Sequence, residues 1–211
     1  MLFIFDWDGT LCNSLDRIIL SAQRAAVDCD LEEPAASQVQ SIVGLGLAEA
    51  LQRLFPHLSE QQYQPLVGRY KHHFLNLAEE VPSPLYKDAL HTLESLRTAD
   101  HQLAVATGKS RMGLDLVLRE LGMQNYFDAT RCADETKSKP HPMMLHELLV
   151  ELDHPAEQAL MIGDTDFDLQ MARSAGIRAV GVTYGAHSRE RLEQSDPHLL
   201  VDDLVSILEY F

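Results

Sequence analysis

The sequence predicts an α/β protein with a parallel sheet and a helical domain inserted after the first strand. From Leu85 to the end of the chain, short apolar runs alternate with helical patterns, which is typical of parallel sheets with right-handed crossovers. Residues 14–81 show helical periodicity without any strand pattern. We therefore expect a core domain of residues 1–13 and 82–211 and a helical cap domain of residues 14–81.

The first predicted strand is the apolar run at residues 2–5, which stops abruptly at Asp6. A continuous run of this length suits a strand that helices cover on both faces. Helices are then expected at residues 14–28, 36–43, 47–55 and 59–78, with Ser14 as a candidate N-cap of the first. Two prolines, Pro82 and Pro84, end this helical block.

The remaining core elements are predicted from short apolar runs, which indicate strands, and from helical periodicity. Glycines just past two of the helices mark where those helices end. Strands are expected at 102–106, 127–131, 159–162, 178–182 and 198–201, and helices at 88–97, 112–121, 142–151, 167–175 and 204–210.

Composition narrows the class of protein. Hydrophobic residues make up 45% and charged residues 23% of the 211 residues, as in an ordinary globular protein, and no apolar run is long enough to cross a membrane. A net charge of −15 argues against nucleic acid or an anionic membrane as the main partner. The three cysteines are odd in number and widely separated, and the N-terminus lacks a signal-peptide pattern. We expect a cytoplasmic protein.

Asp6 and Asp8 stand in the segment DWDGT, directly after the first strand. Open α/β sheets bind ligands at the carboxyl ends of their strands. Residues two apart in an extended segment share a face, and like charges this close require a cation or a shared proton. The alternative is a simple Asp-Gly turn.

Thr107 and Gly108 follow the strand at 102–106 and precede a helix. The free amides at such a junction form an anion site, to which Thr107 and the Gly108 amide would donate. The alternative is that Ser110 merely caps the helix.

Lysines at 137 and 139 precede Pro140 and the helix at 142–151. A lysine opposite carboxylates is a point charge suited to stabilising a phosphoryl group. The alternative is that both lysines are solvated surface residues.

Asp164 and Asp168 stand in the segment GDTDFD, after the strand at 159–162. Mg²⁺ prefers oxygen ligands, and Asp6 and Asp164 would supply them if their strands are neighbours. Asp168 suits a supporting role behind the ligands. Asp166 is explained by the preference for acids in the first turn of a helix.

Together DWDGT, the Thr107 segment, KPHP and GDTDFD resemble, in order, the four motifs of the haloacid dehalogenase (HAD) superfamily. The third motif favours Lys139 over Lys137. The helical insertion resembles the subgroup typified by phosphoglycolate phosphatases and β-phosphoglucomutases.

The resemblance implies a Rossmann-like core with an α-helical cap and a phosphatase that forms an aspartyl phosphate. Asp6 would be the nucleophile, and Asp8 would protonate the leaving oxygen and then activate water. Thr107, Gly108 and Lys139 would bind the phosphoryl group. Mg²⁺ would be held by Asp6, Asp164 and the backbone carbonyl of Asp8, with Thr10 and Asp168 in support.

The expected function is Mg²⁺-dependent hydrolysis of small phosphorylated metabolites, either phosphoglycolate-like acids, sugar phosphates or nucleotides, by a monomer or homodimer. A phosphomutase uses the same motifs and remains an alternative. A non-catalytic phosphate-binding module is less expected because Asp6, Asp8 and Lys139 are all present. Gly44 to Gly46 is the expected cap loop at the site, and Arg17 and Arg24 are candidates to reach a second anionic group.

Overall fold

The computed structural model describes residues 1–210 and centres on a six-stranded parallel sheet. Its strands are β1 (Leu2–Phe5), β2 (Gln102–Thr107), β3 (Ala129–Cys132), β4 (Ala159–Gly163), β5 (Arg178–Val182) and β6 (Leu199–Val201). Across the sheet they run β3-β2-β1-β4-β5-β6, so β1 lies between β2 and β4. The predicted α/β fold class with a parallel, Rossmann-like sheet is confirmed.

The helices fall into two groups along the chain. Those between β1 and β2 are α1 (Leu15–Asp28), α2 (Ala36–Gln40), α3 (Leu47–Leu54), α4 (Glu60–Asn76) and α5 (Ala89–Thr98). Those after β2 are α6 (Arg111–Glu120), α7 (Met143–Glu151), α8 (Asp166–Ala175) and α9 (Arg189–Glu193).

All four side chains of β1 are fully buried, because helices cover both faces of the sheet. Phe3 and Phe5 pack in one apolar cluster with residues of α5 and α6. Leu2 and Ile4 pack on the other face with residues of α7 and α8. Successive side chains of β1 point to opposite faces of the sheet and pack into two separate apolar layers. Every position of the strand is therefore apolar, which explains the unbroken apolar run in the sequence.

Helices α1 to α4 form the cap, built mainly on the packing of α1 against α4. Leu66 and Tyr63 of α4 share an apolar cluster with Ala25 of α1. One contact between the cap and the core lies at the loop before α3, where the Gly46 amide donates to Ser138 Oγ at 2.8 Å. The exact division at residues 14 and 81 stays a prediction.

Three short elements differ from the sequence expectations. The helix expected at 204–210 is a 3-10 helix over Val205–Glu209, and a second 3-10 helix covers Ala156–Gln158. Helix α9 was not expected from the sequence. Each has five residues or fewer, which is too short for a 3.6-residue periodicity to emerge.

Candidate active site

The carboxyl ends of β1, β2 and β4 bring the predicted site residues to one edge of the sheet. Phe5 pairs with Val105 on one side and with Ile162 on the other, so the next residues along these strands are neighbours. The Asp6 amide continues the ladder by donating to the Ile162 carbonyl at 2.9 Å. This register sets Asp6 opposite Ala106 and Gly163, so Thr107 and Asp164 follow one residue further along at the same edge of the sheet.

Lys139 is the cation at the centre of the site. Its Nζ lies 2.6 Å from Asp6 Oδ1 and 2.7 Å from Asp168 Oδ1, and its side chain is fully buried. Burial alone would lower the pKa of Lys139, but the ion pairs with Asp168 and Asp6 raise it overall, so the ammonium stays charged. The exposed Lys137 takes no part in this arrangement.

Asp164 is held rigidly by two hydrogen bonds. Thr10 Oγ1 donates to its Oδ1 at 2.9 Å, and the Ala186 amide donates to its Oδ2 at 2.7 Å. Gly9, with φ of +88°, passes so close that a Cβ there would lie 2.1 Å from Asp164 Oδ2. The glycine of DWDGT is therefore required both by its backbone conformation and by the carboxylate beside it.

Asp168 has both oxygens engaged. Oδ1 pairs with Lys139, while Oδ2 accepts hydrogen bonds from the Thr165 amide at 3.1 Å and from Thr165 Oγ1 at 2.6 Å. This saturation suits a residue that supports the lysine.

The acidic cluster fits a divalent cation. Carboxylate oxygens of Asp6, Asp164 and Asp168 all lie within 4.8 Å of one another, yet Lys139 is the cation placed among them. Asp6 Oδ2 is buried and has no hydrogen-bond partner within residues 1–210. Because Asp168 is saturated, Asp6 and Asp164 are the side chains that would hold a hard cation such as Mg²⁺.

Burial and like charges shift the pKa values of both candidate ligands upward. Burial raises the pKa of Asp6 well above its usual range against the opposing effect of Lys139, and Asp168 and Asp164 raise it further. Burial and the neighbouring Asp168 raise the pKa of Asp164 to about 6. A bound cation would favour the ionised forms of both groups.

Asp8 lies beside this cluster and is held by two other side chains. Lys109 Nζ contacts Asp8 Oδ1 at 2.9 Å and Oδ2 at 3.0 Å, and Ser14 Oγ donates to Oδ1 at 2.6 Å. Ser14 occupies the N-cap position, but its hydroxyl makes no cap hydrogen bond because it binds Asp8 instead.

Thr107 and Gly108 form the expected strand–helix junction. Thr107 is fully buried at the end of β2, and its Oγ1 accepts from the Lys109 amide at 3.2 Å. Ser110 caps α6 by accepting from the Gly113 amide, as the alternative for this junction expected, and the anion site stays a prediction. The cap loop lies directly on Gly108, where a Cβ would be 2.5 Å from the Leu45 carbonyl oxygen and 2.6 Å from that of Gly44.

The remaining candidates lie outside the acidic cluster. Asp166 pairs with the Arg191 guanidinium at 2.9 and 3.0 Å in the first turn of α8. Arg24 pairs with Glu80 on the surface of the cap. Arg17 is buried, donates to Ser83 Oγ at 2.9 Å and stacks on Phe74.

A cavity of about 640 Å³ opens from the acidic residues into the space between the cap and α6. Asp6 and Asp8 lie in its wall together with Gly44, Gly108 and Lys109. The buried nucleophile candidate therefore borders a space large enough for a small organic molecule.

The chain matches a model of the haloacid dehalogenase-like hydrolases over residues 3–182. The chain belongs to this family. Its α/β core with an inserted helical cap is the fold of a solved relative, a predicted phosphoglycolate phosphatase from Haemophilus somnus, with a TM-score of 0.90 and 30% identity over 99% of this chain and 96% of that one. The predictions of a HAD family member and of a phosphoric monoester hydrolase are confirmed.

Two curated relatives are similar over nearly their whole length. A phosphoglycolate phosphatase of Vibrio cholerae is 32% identical, with 99% of this chain and 95% of the relative covered. A phosphoglycolate phosphatase of Pasteurella multocida is 31% identical, with 97% and 95% covered. A hydrolase from Pseudomonas syringae, 21% identical with a TM-score of 0.90, shares the fold.

Sequence reasoning missed three residues of this HAD-type site, namely Lys109, Ser14 and Thr165. Lys109 could have been predicted from the sequence. It stands two residues after Thr107, the last residue of β2, and β2 is a neighbour of β1. No comparable signal identifies Ser14 or Thr165, because a serine or threonine before a helix is expected to cap it. Thr165 caps α8 and binds Asp168 as well.

Proposed function

We propose that this HAD family member is a Mg²⁺-dependent phosphatase of small phosphorylated metabolites that acts through an aspartyl phosphate on Asp6. The observation that carries the proposal is the position of Lys139, whose ammonium joins Asp6 and Asp168 in a fully buried layer. A buried carboxylate next to a fixed ammonium is suited to attack a phosphoryl group whose charge that ammonium stabilises.

In the first step, an Asp6 oxygen forms a bond to phosphorus while the bond from phosphorus to the leaving oxygen breaks. Asp8 donates a proton to that oxygen, so the product leaves as a neutral alcohol. Lys139, Thr107 and the Gly108 amide bind the oxygens of the transferring group, because phosphoryl transfer depends mainly on positioning and charge stabilisation. Asp6, Asp164 and the Asp8 carbonyl would hold Mg²⁺, whose positive charge would offset that of the carboxylates and of the phosphoryl group.

In the second step, the Asp8 carboxylate takes a proton from water, and the resulting hydroxide oxygen bonds to phosphorus. The bond between phosphorus and Asp6 breaks, releasing inorganic phosphate and restoring the Asp6 carboxylate. Thr10 and Asp168 keep Asp164 and Lys139 in place through both steps. The cap loop over Gly108 limits entry of water from that side.

The substrates proposed are small phosphate monoesters. Phosphoglycolate-like acids, sugar phosphates and nucleotides form the panel that tests the activity, and two curated relatives are named for the first of these. The same proposal places the enzyme in the cytoplasm as a monomer or homodimer. No helix within residues 1–210 is long and apolar enough to span a membrane.

The test measures inorganic phosphate released from a panel of these metabolites with Mg²⁺ and with chelator. We expect release with Mg²⁺ alone, and a phosphorylated Asp6 peptide trapped by acid quench and found by mass spectrometry. Asp6→Asn should abolish both, because an amide is not a nucleophile. The matched control is Asp166→Asn, which replaces an acid on a neighbouring helix. Wild-type turnover in Asp6→Asn, or undiminished turnover without metal, would contradict the proposal.

A further inference from the structure

The cavity that contains Asp6 and Asp8 is far larger than a phosphoryl group needs, and most of it is apolar. Its volume of about 640 Å³ is that of a pocket for a medium-sized organic ligand. The cap side presents half-buried apolar side chains, namely Ile42 of the loop after α2, Leu47 of α3 and the rings of Tyr70 and Phe74 of α4.

The cations that line the cavity are either paired with carboxylates or exposed to solvent. Lys109 contacts both oxygens of Asp8. The Arg111 guanidinium binds Glu135 through two nitrogens at 2.9 and 2.8 Å and contacts Asp115. Lys71 and Arg119 line the cavity too, but both are exposed.

A second acidic group on the substrate would therefore meet an unfavourable wall. Burying a carboxylate against aliphatic side chains without a cation is costly, whereas burying hydrocarbon there is favourable. Arg17, one of two candidates from the sequence for binding such a group, does not line the cavity, since its guanidinium binds Ser83 and stacks on Phe74. The wall thus suits a neutral, apolar leaving group.

Since Asp6 lies in the same wall, an occupant of this cavity would be the organic part of the phosphate ester attacked there. We propose that the physiological substrate class is phosphate monoesters of neutral, largely apolar alcohols, and that the enzyme prefers them to phosphoglycolate-like acids. This rests on the phosphatase proposed above and adds the chemistry of the leaving group. The apolar cap wall selects that group, while the core binds only the phosphoryl end.

The experiment compares kcat/KM of the Mg²⁺-loaded enzyme across ethyl, propyl, butyl, pentyl and hexyl phosphate, with 2-phosphoglycolate as the acidic comparison. The reactivity of the leaving group hardly changes along the alkyl series. The increase of kcat/KM with chain length therefore measures burial of the alkyl chain in the cavity. We expect an increase of about fourfold per added methylene, and no advantage of phosphoglycolate over ethyl phosphate. A flat series, or at least a tenfold preference for phosphoglycolate over ethyl phosphate, would overturn the inference.

These results are distinct from failure of the phosphatase proposal, in which no ester, phosphoglycolate included, releases phosphate.

A pair of variants ties the preference to the wall. Leu47 is half-buried and lines the cavity, whereas Leu90 on α5 is 43% exposed and does not line it. Leu47→Asn should lower the ratio of kcat/KM for hexyl over ethyl phosphate at least fivefold, and Leu90→Asn should keep the wild-type ratio. The ratio does not depend on the fraction of folded enzyme. An unchanged ratio in Leu47→Asn would count against the cavity as the leaving-group site.

Discussion

Lys109 Nζ lies 2.9 and 3.0 Å from the two carboxylate oxygens of Asp8. The same ammonium lies 4.6 Å from the centre of the Phe74 ring, which belongs to the cap helix α4. A side chain of the core thus joins the proposed acid–base residue to an aromatic ring of the cap. Lys109 is therefore a positioning residue for Asp8, assisted by Ser14.

Replacing Lys109 by methionine keeps the length of the side chain and removes its charge. We expect Lys109→Met to lower kcat/KM for alkyl phosphates about tenfold to a hundredfold, since a misplaced general acid is less effective. The effect should be much smaller for 4-nitrophenyl phosphate, whose leaving group hardly needs a proton. Steady-state kinetics with both esters measure the difference.

The matched control is Lys137→Met, which removes an exposed lysine outside the site. It should leave both kcat/KM values close to wild type. Equal losses for the alkyl and aryl esters in Lys109→Met would show that Lys109 acts on something other than the acid.

Gly108 tests the seating of the cap loop on the core. A Cβ there would meet the Leu45 and Gly44 carbonyl oxygens at 2.5 and 2.6 Å, so Gly108→Ala should push the loop away. We expect a loss of about tenfold to a hundredfold in kcat/KM, because a displacement of about 1 Å misplaces the reacting groups. The control is Gly68→Ala in α4, where no atom lies within 4 Å of the added carbon. Wild-type kinetics of Gly108→Ala would contradict this account of the loop.

Metal binding should be visible without any assay of activity. If Asp6 and Asp164 hold Mg²⁺ only in the folded state, saturating Mg²⁺ stabilises the protein by about 2.7 kcal/mol at a concentration of 100 Kd. For a chain of this size, the melting temperature should rise by roughly 5–10 °C. Differential scanning fluorimetry should show that Asp164→Asn loses this shift and that Asp166→Asn retains it. The same shift in both variants would place the ion elsewhere.

The metal-free protein should have a distinctive pH dependence. Asp164 has a pKa of about 6 in the folded state against a usual 3.8, so the folded chain binds this proton more tightly than the unfolded chain. The free energy of unfolding should therefore decrease as the pH rises from about 4 to about 6, and the whole decrease is present above that range. Urea unfolding in chelator should show a weaker fall in Asp164→Asn than in the wild type. Parallel curves for the two proteins would argue against the raised pKa.

The mutase alternative is tested by following the fate of the phosphoryl group. The cap wall is mainly apolar, so it offers few polar groups to hold a hexose in two orientations. With β-glucose 1-phosphate and a trace of glucose 1,6-bisphosphate, phosphorus NMR should show inorganic phosphate as the product. Fast conversion to glucose 6-phosphate with little free phosphate would favour the mutase.

Much of this architecture could be predicted because the evidence for it is local. The apolar run before Asp6 indicates a strand buried on both faces, and the structure shows all four of its side chains fully buried. Alternation of strand and helix patterns determined the parallel sheet, and the four motifs identified the family. The periodicity of apolar residues indicates which faces of a strand or helix are buried, and it can be recognised within a few consecutive residues.

The pairings between distant side chains were decided only by the tertiary structure. Nothing in the sequence indicates that Ser14 binds Asp8 rather than the first turn of α1, or that the Leu45 carbonyl rests on Gly108. The apolar character of the cavity also depends on which faces of the cap helices point toward Asp6. Such contacts depend on strand register and on how the cap sits over the sheet, and a difference of a few ångströms there changes a hydrogen-bond partner without changing any local pattern.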